Sequence, residues 1–187
     1  MRAASLRELL RDHWLMGALA GAPLLLALAP LLAFSAWLLW VFLLQPAYMI
    51  HQLEEHVGDR FRTFVNTHVA QGQEALTPAA VAVINIGGVW IVNAAALLLA
   101  GLSHPGWGLV AAYLAVVNAV THIAAGVRFR SYNPGLVTSV ALFLPAGIAA
   151  LILLSREPGV GVAAHLGALA LILALHAAIV IHVKRRM

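Results

Sequence analysis

Two histidines and two adjacent carboxylates stand together in HQLEEH, residues 51–56, directly behind a run apolar enough to sit in lipid. On a helix, His51, Glu54 and Glu55 occupy positions i, i+3 and i+4, so they share a face and their heads can close on one ion. His56 falls ~140° from His51 and is the weaker partner. Glu54 and Glu55 are themselves ~100° apart, so one can ligate while the other acts as a general base or an outer partner. Neighbouring carboxylates at a membrane face repel and are poorly solvated, and a divalent cation or a shared proton relieves both costs. The chain has no cysteine, which excludes thiolate sites and iron–sulfur clusters. A metal here takes His, carboxylate, amide or water ligands, a set that suits Fe, Mn or Zn. No segment points to an organic cofactor.

The elements that must hold these residues are membrane helices. Of the 187 residues, 63% are hydrophobic and only 10% charged, a balance outside that of water-soluble domains. Whole segments are apolar on every face, the pattern of helices surrounded by lipid. Four spans are expected at about 79–101, 106–127, 135–154 and 160–183, separated by SHPG, RSYNPG and REPG breakers that make them hairpin neighbours. Residues 1–14 mix leucines at helical spacing with three arginines and fit a short interfacial helix, and no cleavable signal peptide is evident. The block at 15–50, whose apolar run Leu15 to Leu44 holds Pro23 and Pro30, reads either as one kinked span or as a re-entrant or fold-back segment. The fold class is therefore all-α: a single polytopic transmembrane helix bundle over residues 1–187, with about five spans, or six if the N-terminal block folds back. The spans 79–183 close it.

The positive-inside rule orients the bundle. With five spans, Arg60, Arg62, Arg128, Arg130 and the 184–186 cluster put seven positive charges on the side of HQLEEH and leave four opposite. A folded-back N-terminus brings Arg2, Arg7 and Arg11 to the same side, for ten against one. Either count places HQLEEH and the C-terminus in the cytoplasm. Other polar groups lie at the same depth. Asn85 is about a turn inside its span, Asn118 and His122 share one face of the next, and His176 is ~12 Å inside Lys184. Polar intramembrane residues face the bundle interior, so His122 and His176 are further candidate metal ligands and Asn85 and Asn118 candidate supports. The plainer reading makes such asparagines interhelical hydrogen-bond glue. Nothing in the pattern of basic residues resembles a nucleic-acid surface, and no nucleic-acid partner is expected.

HQLEE behind a first hydrophobic helix resembles the signature of the HXXEE family of small bacterial and archaeal membrane proteins. NAVTHIAAGVRFRSYNPGLVTSVALFLP, residues 118–145, resembles that family's second characteristic region, and the likeness runs from about residue 35 to 180. It implies a prokaryotic cytoplasmic (inner) membrane and marks His51, Glu54, Glu55, Asn118 and His122 as the functional set, without giving them roles. Three functions compete. The first is a metal-dependent oxidoreductase or hydrolase acting on a membrane lipid or another apolar substrate, with His51, His122, His176 and a glutamate as ligands. HQLEEH also resembles the first histidine box of membrane desaturases, although their HxxHH boxes are absent. The second is a metal-free hydrolase similar to the glutamate intramembrane proteases, with Glu54 activating water. Here Arg60 stands one residue too far along for that pattern. The third is a proton-coupled transporter or ion-binding protein, which the small size and the lack of inverted repeats disfavour. The oligomeric state is left open.

Overall fold

A computed structural model describes residues 6–187; for Leu6, Arg7, Leu9, Leu10 and Asp12 it describes the backbone only. Part of the 1–14 segment therefore lies outside the described residues. From Leu6 onward there is no separate interfacial helix, because α1 runs unbroken over Leu6–Leu28. It is followed by α2 (Ala36–His56), α3 (Pro78–Leu102), α4 (Pro105–Phe129), α5 (Leu136–Leu154) and α6 (Val162–Lys184). In lipid every backbone amide and carbonyl must be satisfied within its own segment, which makes helices the only open-ended solution for such apolar runs.

Five helices are long and apolar enough to cross a membrane: the stretch His13–Leu31, α3, α4, α5 and α6. The sixth, α2, has the length but gives its last turns to His51, Gln52, Glu54, Glu55 and His56. The N-terminal block takes the fold-back form. Pro30 sits in a single 3₁₀ turn, Ala29–Leu31, that ends α1, and α2 then returns alongside it. The pairing is antiparallel, since Trp14 near the start of α1 meets His56 at the end of α2 with ring centroids 5.1 Å apart, while Gly21 packs on Met49. The helix continues through Pro23, so only one of the two prolines marks the turn.

Local caps fix where the later helices begin. Thr77 accepts a hydrogen bond from the Ala80 amide and Pro78 occupies the first helical turn, which fixes where α3 begins. His104 caps the turn at Pro105–Trp107 in the same way through Nδ1. The core is built on α4, where Leu109, Ala111, Ala112, Leu114, Ala115 and Ala119 are buried. Such small residues let the neighbouring helices approach closely.

This topology puts the first described residues, the 57–77 link, the 130–135 turn and the end of α6 on one face, and the 32–35, 103–104 and 155–161 links on the other. Cysteines introduced singly at Glu8, Gln73 and Ser131 of the cysteine-free chain should react with an impermeant maleimide from the same side. A cysteine at Ser103 should react only from the opposite side. Labelling of positions 8 and 73 from different sides would rule out the antiparallel α1–α2 pair.

Candidate metal centre

The end of α2 presents polar groups over more than half of its circumference, and each arc meets a different helix. Taking His51 as zero, helical geometry puts Glu54 at ~−60°, Glu55 at ~40°, Gln52 at ~100° and His56 at ~140°. The middle arc faces α4. His51 and Glu55, one turn apart, meet His122, and one ligand atom from each lies within 4.8 Å of the others. The Nε2 atom of His51 is 3.4 Å from one oxygen of Glu55, and that of His122 is 3.1 Å from the other. All three side chains are buried, His51 completely.

Hydrogen-bond partners fix the tautomers. Asn133 donates its amide N–H to the His122 carbonyl, which turns its Oδ1 to the His122 ring at 2.7 Å. An amide oxygen can only accept, so His122 carries its proton on Nδ1. Thr138 donates its hydroxyl to Glu54 and therefore accepts from His51 Nδ1–H at 2.7 Å. Both imidazoles consequently turn unprotonated Nε2 atoms toward a carboxylate. Three lone-pair donors, buried together with no hydrogen between them, repel unless a cation or an added proton lies among them. His51 Nε2 makes no hydrogen bond among the described residues. Anchoring Nδ1–H to leave Nε2 free is how proteins orient ligating histidines, and the trio could hold a metal ion.

Glu54 lies outside this group. On its own arc it meets the start of α5, accepting from the amides of Val137 and Thr138 at 3.1 and 2.8 Å and from the Tyr132 hydroxyl at 2.8 Å. It thus satisfies amides that the first turn of a helix leaves without partners. The pKa of the Tyr132 phenol is raised, first by partial burial and then by Glu54. The separation from Glu55 follows from their ~100° offset.

The third arc faces α3. Trp90 Nε1–H can only donate, so Gln52 receives it on Oε1 at 2.7 Å and passes its own N–H to Asn85 Oδ1 at 2.8 Å. Asn85 then donates to the Val81 carbonyl and to His56 Nε2. That nitrogen is 3.4 Å from Glu55, a third histidine held beside the carboxylate but not in the three-ligand group. His176 is not in the group either. It donates Nδ1–H to the Ile172 carbonyl and lines the adjoining cavity with Asn118, whose buried Oδ1 has no partner.

The RSYNPG turn covers the centre. Tyr132 and Asn133 supply the bonds above, and Gly135 lies against the ligands themselves. At its φ of +97° a Cβ would stand 2.7 Å from Cε1 of both His51 and His122 and 2.9 Å from Glu55 Cγ. Glycine is required twice over, by conformation and by space. Residues 40–150 match the family described as "Protein of unknown function with HXXEE motif".

The chain belongs to the HXXEE family.

No curated protein and no solved structure matches it. In this HXXEE protein the His and the second Glu of the motif are candidate ligands, and the first Glu holds the helix that bears Thr138. Thr138, Asn133, Gln52 and Trp90 were not among the residues expected from sequence. Uncharged side chains in turns and apolar helices carry little signal of their own.

Glu55, His56 and His122 form part of the wall of a cavity of about 540 Å³ bounded by α3, α4, α6 and the short helix Arg60–Phe64. Three π turns border the region, at Val65–Val69, Ile84–Ile91 and Ser139–Phe143. Such turns concentrate at functional sites.

Proposed function

We propose that this protein is a metal-dependent membrane enzyme, an oxidoreductase or hydrolase, acting on a lipid or another apolar substrate. The observation that carries this reading is the pair of Nδ1-anchored histidines whose free Nε2 atoms meet one buried carboxylate. Two imidazoles and a carboxylate with open positions are the ligand set of non-haem Fe(II) oxygenases and of catalytic zinc hydrolases. The bound ion would supply redox or Lewis-acid chemistry at the wall of the cavity. His51, Glu55 and His122 hold it, Thr138 and Asn133 keep both imidazoles in the ligating tautomer, and His56, beside Glu55, is placed to exchange a proton with a group in the cavity. The apolar walls exclude water and favour a greasy substrate entering from the bilayer. Among the described residues the fold-back topology leaves Arg156 as the one arginine or lysine opposite the motif, which supports a cytoplasmic HQLEEH.

Elemental analysis of untagged, detergent-purified protein tests the reading. Fe, Mn or Zn near one equivalent is expected, and an oxygen-reactive Fe site would select the oxidoreductase over the hydrolase. No metal in the purified protein, or after incubation with each ion, would overturn it and leave the trio as a proton-sharing site. Thr138→Val removes the anchor on His51 while leaving all three ligands. It should weaken metal binding by about 10- to 100-fold, the usual effect of outer partners, as read by competition with a chelator.

A further inference from the structure

The cavity is long, and the candidate metal centre lies partway along it. On α4 its wall is a single stripe, Leu114, Asn118, Thr121, His122, Ala125 and Phe129, which spans ~22 Å at 1.5 Å per residue. On α6 a parallel stripe runs from Leu175 to Lys184. His122 is ~10 Å inside Phe129 at the mouth, and Leu114 lies ~12 Å deeper. Space thus extends well beyond the ligands in both directions.

Among the described residues the wall carries one carboxylate, Glu55, and one lysine or arginine, Lys184. Glu55 is enclosed by histidines, whereas Lys184 stands exposed at the mouth with no hydrogen bond or ion pair among the described residues. Arg185 and Arg186 follow it. The remainder is mostly aliphatic and aromatic, including Phe61, Phe64, Val89, Ile179 and Val183. An elongated, mostly apolar cavity whose one lysine stands at the end of α6 matches an alkyl chain that ends in an anion. A ligand with an anion at both ends would bury its second charge at Leu114.

We propose that the cavity takes one long-chain fatty acid, its carboxylate at Lys184 and its chain running past Glu55 and His122 toward Leu114, so that an interior carbon lies at the candidate metal centre. The occupant stands on the shape and charge of the cavity. The reacting position also rests on the metal reading above.

Photo-crosslinking of the full chain in nanodiscs tests this, with palmitic acid carrying a diazirine at mid-chain or at the chain terminus, and with both metal-loaded and chelator-treated protein. The mid-chain probe should label Phe61, Leu175 or residues 118–125, and the terminal probe Tyr48 or Leu114, with or without metal. Lys184→Gln should lower labelling by palmitic acid several-fold and leave a matching palmityl alcohol probe unchanged. Labels confined to outward-facing residues such as Leu98, Val120 and Leu173, or a reversed order of depth, would overturn the proposal. So would equal labelling of the Lys184→Gln variant, or stronger competition by a lysophospholipid than by palmitate. A protein that labels as expected yet binds no metal would keep the fatty acid and lose the reacting position.

Discussion

Glu55→Gln should abolish metal binding without unfolding the protein. The carboxylate is the one anionic ligand between two neutral imidazoles, and its loss leaves a neutral set facing a divalent ion in an apolar surround. Affinity should fall by more than the ~100-fold typical of outer partners. In the metal-free protein the substitution is mild, because the new amide matches the old shape and can donate to one of the two free Nε2 atoms. A thermal melt with and without metal separates the effects. A ligand present at about 100 times its dissociation constant stabilises the folded state by about 2.7 kcal/mol, so the wild type should gain several degrees with metal and Glu55→Gln none. Equal gains in both proteins would remove Glu55 from the ligand set.

Gly135→Ala should damage both stability and the site. An alanine forced into the left-handed region costs about 1–2 kcal/mol. Its methyl would also press on both imidazoles and on Glu55, and overpacking of this kind typically costs about 1–3 kcal/mol more. Gly58 and Gly72 provide the control, since each has a positive φ but nothing within 4 Å of a Cβ. Gly58→Ala and Gly72→Ala should therefore show the backbone cost alone and keep full metal content. If Gly135→Ala melts with those two and binds metal normally, the backbone does not press on the ligands.

Much of the architecture is legible in sequence because lipid leaves few options. The four later helices begin and end close to the apolar runs and their Pro/Gly breakers, and the HQLEEH face meets α4 as its spacing and the depth of His122 imply. The α1–α2 turn was harder to read. Its residues, Ala-Pro-Leu-Leu-Ala-Phe-Ser, are almost as apolar as the helices they join, so hydropathy shows no break and only the charge count favours a return. Depth along a helix can be counted, but lateral position cannot. His176 is at the right level and on the cavity wall, yet it stands outside the three-ligand group that holds His122. Glu54 and Glu55 look equivalent as letters, and the rotation between them sends one to the start of α5 and the other to the histidines. RSYNPG reads as a simple stop between spans, which hides the work of Tyr132, Asn133 and Gly135.

The π segment Ile84–Ile91 is what lets Asn85 and Trp90 reach one partner. At ordinary α-helical pitch, residues five apart stand ~140° from each other around the helix. An i→i+5 turn brings them back toward one face, where both side chains meet Gln52. Removing one residue between them and restoring α pitch would leave them four apart and still on one face. Regular pitch at the present length would instead turn Asn85 away from Gln52 and His56, so in this protein the wide turn is what joins α3 to the HXXEE helix.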